Sequence, residues 1–372
     1  MSPRRGTSPR RRRLAAAIAF LSLLTLAAAG AAAWLWHHFH QPYGETATAE
    51  VTIANGTSVS EILQRLEGEG VIENADLARL YLIHVLGDPP LRAGEYRFNS
   101  PLSAPQALDQ MIRGEVITRP VTLIEGLVLE EIAEHLATEG FGDRDAFLRY
   151  LRDPALISDL DPEAPNLEGY VFPDTYRFAS GTSEEQIVET TVRTFRQRWT
   201  QQVEPLLPRD GERPSVREVV TLASIVEKEA QLEDERPIIA GVYAHRLERG
   251  IALYADPTVI YALRLEGRWD GNIRRTDLRL DHPYNTYVYP GLPPGPIANP
   301  GLGSLQAAAR PADVPYLYFV SRNDGSHVFA RTLAEHNRNV DRWQKRYWRE
   351  RWAKERQQKQ QEAESEGKPT PP

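Results

Sequence analysis

Two glutamates, Glu227 and Glu229, end the apolar segment Leu222–Ala230. On a helical wheel, Glu229 lies about 50° from the mean direction of the apolar side chains and Glu227 about 110° from it. Lys228 points to the opposite side, and Glu227 is expected nearer to water. A carboxyl group on an apolar flank keeps its proton to higher pH, because burial disfavours the charged form. The spacing therefore nominates Glu229 as a general acid, although a short helix ending in solvated glutamates has the same spacing.

Polar and aromatic residues of the second half are concentrated in segments rich in proline and glycine, between residues 166 and 301. Such segments follow a fixed path without regular structure, as rigid loops lining a cleft do. Their rings and amides suit a sugar, which presents a flat apolar face, hydroxyls and acetamide groups. Ordinary turns with buried tyrosines have the same composition. The candidate substrate-binding residues around Glu229 are Glu227, Asp174, Asp256, Tyr284, Asn285, Tyr287 and Asn299.

Other kinds of catalytic centre have no signal in this sequence. It contains no cysteine, which excludes disulfides, thiol catalysis and cysteine-ligated zinc. The glycine patterns that bind phosphates or dinucleotides are absent, as are H-E-x-x-H and G-x-S-x-G. The nine histidines are not spaced as metal ligands on one element, so the sequence predicts neither a metal nor a cofactor.

The N-terminus is typical of a membrane anchor. Six arginines lie within residues 1–13, and the 23 residues of Leu14–Trp36 then carry no charge. A helix of that length measures about 34 Å, enough to cross a hydrocarbon core of about 30 Å. Because basic flanks stay cytoplasmic, we expect one span, a cytoplasmic N-terminus and export of everything after Trp36. A cleaved signal peptide is the alternative, since Ala31–Ala33 would suit a cleavage site.

The exported part is acidic. Without the six arginines, 38 Lys and Arg residues oppose 51 Asp and Glu residues, a net charge of −13. Such a charge repels phosphates and argues against a nucleic-acid partner. About 335 exported residues are enough for two ordinary domains with their own cores.

An internal repeat organises the first half. Residues 51–71 and 121–141 are identical at eight of 21 aligned positions. Each copy predicts a strand, a glycine turn and an amphipathic helix of about three turns that ends at glycine. Between the copies, Ala93–Phe98 predicts a further strand and Ala104–Arg113 a further helix. The segment Asn55–Val59 resembles the start of LysM modules, which bind glycans containing N-acetylglucosamine; glycan binding and scaffolding both remain open here.

Five motifs of the second half occur in a recognisable order: Leu222–Glu229, Asp256–Tyr261, Tyr284–Tyr287, Gly291–Gly295 and Pro315–Val320. Together they resemble the endolytic murein transglycosylase family, also called YceG-like, over about Val51 to Val340. The resemblance implies a periplasmic lyase, anchored in the cell inner membrane by a single pass, with a LysM-like subdomain. It implies cleavage within nascent peptidoglycan strands, which would terminate strand elongation. The family's catalytic glutamate corresponds to Glu229, the residue that the wheel selects independently.

The partners that the resemblance implies are peptidoglycan glycan strands and peptidoglycan synthases (penicillin-binding proteins). A lytic enzyme protonates the oxygen of the MurNAc–GlcNAc bond, and the sugar's own 6-hydroxyl then attacks to give a 1,6-anhydro end, so one acid suffices. A hydrolytic muramidase would instead need a second carboxylate at about 5–9.5 Å, for which Asp256, Asp174 and Glu227 are candidates. A non-catalytic peptidoglycan-binding scaffold is the alternative from another class.

The sequence thus predicts an α+β fold with many loops. Its segments are a cytoplasmic basic tail (1–13), a transmembrane helix (14–36), a linker (37–48), a LysM-like region (49–165), a catalytic domain (166–340) and a charged, partly disordered tail (341–372). The tail contains Trp343, Trp348 and Trp352 among charged residues, which predicts a helix that frays toward its end.

The predicted topology has a direct test. A reporter enzyme fused after Pro372 should be active only on the exported side of the membrane. The protein should also stay with membranes in high salt and in alkaline carbonate, because the apolar span is held by the hydrocarbon core. Recovery of a mature soluble form that begins near Trp34 would contradict the anchor and favour a cleaved signal peptide.

Overall fold

The computed structural model describes residues 9–44, 48–209, 211 and 213–365. The chain divides into two compact units. Unit 1 comprises residues up to Arg119 together with Arg177–Gly181, and unit 2 comprises Pro120–Tyr176 together with the residues from Thr182 onwards. The predictions for residues 1–8 of the basic tail, 45–47 of the linker and 366–372 of the C-terminal tail lie outside the described residues.

Helix α1 (Pro9–Phe39) contains the apolar segment that the sequence assigns to a membrane span. Its stretch Ala16–Phe39 is long and apolar enough to cross a membrane, with a mean hydropathy of 2.0, and none of it is buried within the protein. A signal sequence has the same properties, so α1 is compatible with the predicted anchor without fixing its orientation. Near the end of the helix, the rings of Phe39 and Tyr81 lie 5.1 Å apart, within unit 1.

Unit 1 contains a strand, two helices, a second strand and a third helix: β1 (Thr48–Ile53), α2 (Val59–Gly68), α3 (Ala75–His84), β2 (Gly94–Asn99) and α4 (Ala104–Arg113). β1 and β2 pair antiparallel, with Val51 opposite Tyr96. Alternate strand residues face the core, because Val51, Ile53, Tyr96 and Phe98 are all buried. The predicted strand near 93–98 is confirmed, and the predicted helix 104–113 is confirmed at both ends.

Unit 2 is mainly helical. Its elements are α5 (Leu129–Thr138), α6 (Arg144–Leu151), α7 (Glu184–Arg198), α8 (Val216–Glu229), α9 (Arg236–Glu248), α10 (Asp256–Leu265), α11 (Leu302–Ala309), β5 (Tyr318–Ser321), β6 (His327–Ala330), α12 (Leu333–Val340) and α13 (Tyr347–Ser365). β5 and β6 form an antiparallel hairpin. Two further strands, β3 (Thr118–Thr122) and β4 (Thr175–Ala179), pair with each other, and each strand has residues in both units. The mixture of helices and small sheets confirms the predicted α+β class.

The second copy of the repeat, residues 121–141, lies entirely in unit 2. The structure divides the chain between Arg119 and Pro120, whereas the sequence places the end of the LysM-like region at residue 165. The difference arises because α5 packs on α6 and α6 packs on α7. These contacts bury Ile132 of α5 and Phe147 of α6. The repeated strand-and-helix pattern therefore marks similar local structure, and tertiary packing decides the unit to which each copy belongs.

The C-terminal tail begins with a turn that contacts the β5–β6 hairpin. The side-chain amide of Asn323 donates a hydrogen bond to the carbonyl of Trp343 at 2.6 Å. The side-chain amide of Gln344 donates to the carbonyl of Ser321 at 3.1 Å. Beyond this turn the chain continues as α13, where Trp352 remains exposed.

Candidate active site

Helix α8 ends at Glu229 and is fixed along its whole length. At its start, the Ser215 hydroxyl accepts a hydrogen bond from the Glu218 backbone, and the Glu218 carboxylate accepts one from the Ser215 backbone. All residues from Val219 to Val226 are buried. Lys228 is exposed, as the wheel predicts. The position of the last turn, and with it the direction of the Glu229 side chain, is therefore set by the packing of the helix.

Glu229 lines a cavity with a volume of about 470 Å³. Its carboxyl group accepts a hydrogen bond from the Tyr243 hydroxyl at 3.2 Å. Burial raises the pKa of Glu229 to about 7, while the Tyr243 hydrogen bond lowers it; the charge of Asp256 raises the pKa further, and that of Arg246 lowers it. At neutral pH a carboxyl group with this pKa holds its proton in about half of the molecules, as a general acid requires.

Helix α9 forms a second wall of the cavity. Tyr243 and Arg246 are three residues apart and therefore lie on one face of the helix. The Arg246 guanidinium donates through Nε to the carbonyl of Leu317 at 2.7 Å and through Nη1 to the carbonyl of Leu253. Because two backbone carbonyls hold the guanidinium, Arg246 provides a positive charge at a fixed place in the cavity wall.

The start of α10 contributes a second carboxylate. The Tyr287 hydroxyl donates a hydrogen bond to Asp256 at 2.6 Å, and the Tyr254 ring packs edge-on against the Tyr287 ring at 5.3 Å. Asp256 lies in the first turn of its helix, where the helix dipole stabilises a negative charge. Three of the residues predicted from the sequence, Glu229, Asp256 and Tyr287, thus line one cavity.

The remaining wall comes from the β5–β6 hairpin and α12, through side chains that include Phe319, His327 and His336. Sequence reasoning assigned no role to these residues, nor to Tyr243 and Arg246. The motif Pro315–Val320 resembles a motif of a known family. That resemblance is the sequence signal that points to this wall. No short-range spacing links the histidines to Glu229, because only tertiary packing brings these distant segments together.

With the cavity described, known proteins provide a comparison. The family model of the YceG-like family matches residues 51–342. This chain belongs to the YceG-like family. A relative from Bacillus subtilis, named endolytic murein transglycosylase, is 32% identical over 312 residues, covering 80% of this chain and 85% of that protein. A protein of the same name from Streptococcus pneumoniae D39 is 28% identical over 323 residues, covering 78% of this chain and 57% of its own length.

A solved structure is also similar to this YceG-like chain. The crystal structure of a YceG-like protein from Listeria monocytogenes has 33% sequence identity and a TM-score of 0.49. The match covers 79% of this chain and 99% of the Listeria chain.

Glu227 is more buried in this YceG-like chain than the wheel predicts. Its side chain is 6% exposed. The backbone N–H of Gly301 donates to its carboxylate at 2.9 Å, and the Arg236 guanidinium lies 3.4 Å away. The wheel considers α8 alone, whereas the loop before α11 and the start of α9 cover this side of the helix. The contacts of Glu227 therefore favour a role in holding the Gly301 loop over direct sugar binding.

Asn285 and Tyr287 have different relations to the cavity. The Asn285 side chain is fully buried. Its amide nitrogen donates to the carbonyls of Leu278 and Leu280, and its oxygen accepts from the backbone N–H of Tyr287 at 3.0 Å. Direct contact between Asn285 and the glycan stays a prediction, and these hydrogen bonds fix the turn that presents Tyr287.

Asn299 joins three loops. Its side-chain oxygen accepts from the backbone N–H groups of Gly169 and Val171, at 3.0 and 2.9 Å. Its nitrogen donates to the carbonyl of Leu127 and to the carboxylate of Glu168. The side chain is 1% exposed, so all of its hydrogen-bonding groups serve the protein interior. The sugar contact of Asn299 stays a prediction, and these hydrogen bonds give its side chain a structural role.

Asp174 and Tyr284 have local partners. Asp174 accepts a hydrogen bond from the backbone of Thr175 at 2.7 Å and lies 3.5 Å from the Arg198 guanidinium. The Tyr284 ring packs against the Tyr261 ring at 4.9 Å. These contacts do not include a residue of the Glu229 cavity wall. The two residues therefore stay candidates for substrate binding on the sequence argument alone.

Glu168 is a second buried carboxyl group, to which sequence reasoning assigned no role. Burial raises its pKa to about 8. It accepts hydrogen bonds from the Asn299 amide at 2.9 Å, and from the backbone of Leu129 and the hydroxyl of Tyr261, both at 3.3 Å. These three donors lie far apart in the sequence, so Glu168 and Asn299 together connect the loops of unit 2.

The Asn299 contacts lead to a stability prediction. Asn299→Ala would leave two buried backbone N–H groups without an acceptor, and each costs about 1–3 kcal/mol. We expect the free energy of unfolding to fall by about 2–6 kcal/mol, measured by urea denaturation followed through tryptophan fluorescence. Asn272→Ala, in an exposed loop, is the matched control and should be nearly neutral. An Asn299→Ala protein of unchanged stability but weaker glycan binding would support the sugar contact instead.

Proposed function

We propose that this protein is a membrane-anchored endolytic lytic transglycosylase that cleaves MurNAc–GlcNAc bonds within nascent peptidoglycan strands. The names of the relatives from Bacillus subtilis and Streptococcus pneumoniae support the reaction class. The observation that carries the proposal is Glu229, a carboxyl group with a pKa near 7 in the wall of an open cavity. Such a group can give up a proton and take one back at neutral pH.

The proposed reaction uses Glu229 twice. First, its carboxyl proton moves to the glycosidic oxygen while the bond from that oxygen to the MurNAc anomeric carbon breaks, and the anomeric carbon gains oxocarbenium character. The 6-hydroxyl of the same MurNAc then bonds to this carbon and gives its proton to the Glu229 carboxylate. The products are a 1,6-anhydro end and a free GlcNAc 4-hydroxyl, and Glu229 is protonated again. No water enters the balance.

The other cavity residues can stabilise the charges that form on Glu229 and on the anomeric carbon during this reaction. The Tyr287 hydroxyl holds Asp256 in place. The negative charge of Asp256 favours the protonated form of Glu229 and stabilises the positive charge of the oxocarbenium-like transition state. The Tyr243 hydroxyl donates to one carboxyl oxygen of Glu229, which leaves the other oxygen for the transferred proton. Arg246 stabilises the carboxylate that exists between the two proton transfers.

The proposal extends to the place of action. The apolar stretch of α1 would hold the protein in the inner membrane, with both units in the periplasm, near the peptidoglycan synthases that make new strands. In unit 1, the order of strand, two helices and strand, with β1 antiparallel to β2, supports a LysM-like module that binds the glycan. Cleavage close to the synthases would terminate strand elongation.

A hydrolytic muramidase is the second candidate, because Asp256 and Glu229 line the same cavity. In that mechanism Asp256 would act as nucleophile or would activate a water, and the product would have a reducing end. The two products differ in mass by one water. A scaffold that binds peptidoglycan without cleaving it would release neither product.

Glu229→Gln tests the proposed function. The change keeps the shape of the side chain and removes the acidic proton, so release of muropeptides from purified peptidoglycan should fall by at least about 100-fold. Mass spectrometry should find 1,6-anhydro ends in the wild-type digest. Glu233→Gln is the matched control, because Glu233 lies in the connection that follows α8 and is 92% exposed. Parental activity of Glu229→Gln together with loss in Glu227→Gln would show that the other glutamate is the acid.

The pH dependence gives a separate test. Because Glu229 must be protonated to act as the acid, the initial rate should fall as pH rises above about 7, the value to which burial raises its pKa. Tyr243→Phe removes a hydrogen bond that lowers this pKa, so the alkaline limb of the profile should move to higher pH. A limb that does not move in this variant would mean that another group controls the profile.

A further inference from the structure

The wall of the cavity that the β5–β6 hairpin forms contains a histidine held in one orientation. We propose that His327 contacts the substrate, presenting Nε2 as a fixed acceptor for a hydroxyl of the N-acetylated sugar bound beside Glu229, and that Glu235 is its positioning residue. This inference rests on the proposed function and assigns one specificity-determining contact within it.

Two hydrogen bonds join Glu235 to His327. One carboxylate oxygen accepts from the backbone N–H of His327 at 2.9 Å, and the other lies 2.7 Å from Nδ1 of its ring. The side chains are 13% and 8% exposed, respectively. An ionised carboxylate can only accept, so Nδ1 carries the proton. In the neutral ring, Nε2 is then left with a lone pair, which makes it an acceptor.

Ring packing fixes the same orientation. The His327 ring lies edge-on to Phe319 at 5.4 Å, and Phe319 lies edge-on to Tyr243 at 5.8 Å. Tyr243 in turn donates to Glu229. Contacts between neighbouring rings therefore connect the His327 imidazole, through Phe319 and Tyr243, to the candidate acid Glu229. A 180° flip of the ring would break the bond to Glu235 and leave a buried carboxylate oxygen without its partner.

Nε2 is the free end of this arrangement. His327 lines the same cavity as Glu229, and in the part of the chain that the structure describes no side chain or backbone group hydrogen-bonds to Nε2. A lone pair on Nε2 that faces a cavity can accept a hydrogen bond from an uncharged donor. The hydroxyls of a sugar are such donors, and a site built to accept from a particular hydroxyl discriminates against sugars that lack it.

A purely structural role for the pair is the competing explanation, since the bond from Glu235 also ties the β5–β6 hairpin to the start of α9. Two isosteric changes separate the roles. His327→Asn keeps an amide near the position of Nδ1, where it can still donate to Glu235, and removes the acceptor at Nε2. His327→Gln places its amide near the position of Nε2 and gives up the bond to Glu235.

The experiment uses the full-length protein in detergent and soluble glycan strands prepared from purified peptidoglycan. We expect His327→Asn to lower kcat/KM about tenfold, the effect of one lost hydrogen bond, with a melting temperature close to that of the wild type. His327→Gln should keep more of kcat/KM and lose more thermal stability. In the Glu229→Gln background, where turnover is expected to be at least about 100-fold slower, His327→Asn should also weaken glycan binding. His135→Asn, on helix α5 of unit 2 and outside the cavity wall, is the matched control for kcat/KM.

Glu235→Gln tests the positioning role through the tautomer. The amide oxygen must accept from the His327 backbone, so the amide NH₂ would face Nδ1 and force the ring proton to Nε2. ¹⁵N NMR of histidine-labelled protein should then show the protonated nitrogen change from Nδ1 to Nε2, together with a loss of kcat/KM like that of His327→Asn.

The inference would be overturned by a His327→Asn protein with wild-type kcat/KM and wild-type glycan affinity. It would also be overturned if the tautomer changed in Glu235→Gln without any change in kcat/KM. Failure of the proposed function gives a different result, because the wild-type protein itself would then release no anhydro-ended fragments. In that case the inference about the sugar contact would fall with it.

Discussion

The loss of water around Glu229 is the constraint on which the site depends. A carboxyl group keeps its proton at neutral pH only when its charged form is poorly solvated, yet it must still meet a large substrate. Its position as the last residue of a buried helix meets both demands, because the helix removes water on one side and the cavity opens on the other. The surrounding charges of Asp256 and Arg246 act in opposite directions and adjust the balance that burial sets.

The loops of unit 2 have to be rigid without the hydrogen-bonding pattern of a sheet or helix. Buried backbone N–H groups still need acceptors, and side chains supply them here. Asn299 does so for Gly169 and Val171, and Glu227 does so for Gly301. A Cβ atom at Gly301 would lie 1.9 Å from a carboxylate oxygen of Glu125, so a larger residue at this position would displace the end of the Glu125 side chain.

Local patterns predicted local structure well. The helix at 104–113 and the burial side of α8 followed from the spacing of apolar residues, which reports on one element at a time. The environment of Glu227 did not follow, because it depends on a loop that arrives from residue 301. The backbone contacts of Asn285 and Asn299 did not follow either, since an amide in a proline-rich turn has the same sequence signature whether it binds a sugar or a neighbouring backbone. Tyr243, Arg246 and His327 carry no local signature, because their relation to Glu229 exists only in the folded chain.

The turn at Trp343 has a consequence for where the polypeptide can be altered. Asn323 and Gln344 tie that turn to the hairpin whose second strand carries His327, so the tail is part of the support behind the cavity wall up to this point. Past Tyr347 the chain is an exposed helix with Trp352 facing solvent. An affinity tag, a fluorescent protein or a truncation can therefore be introduced within α13 without disturbing the hairpin, whereas the same junction before Trp343 would release it.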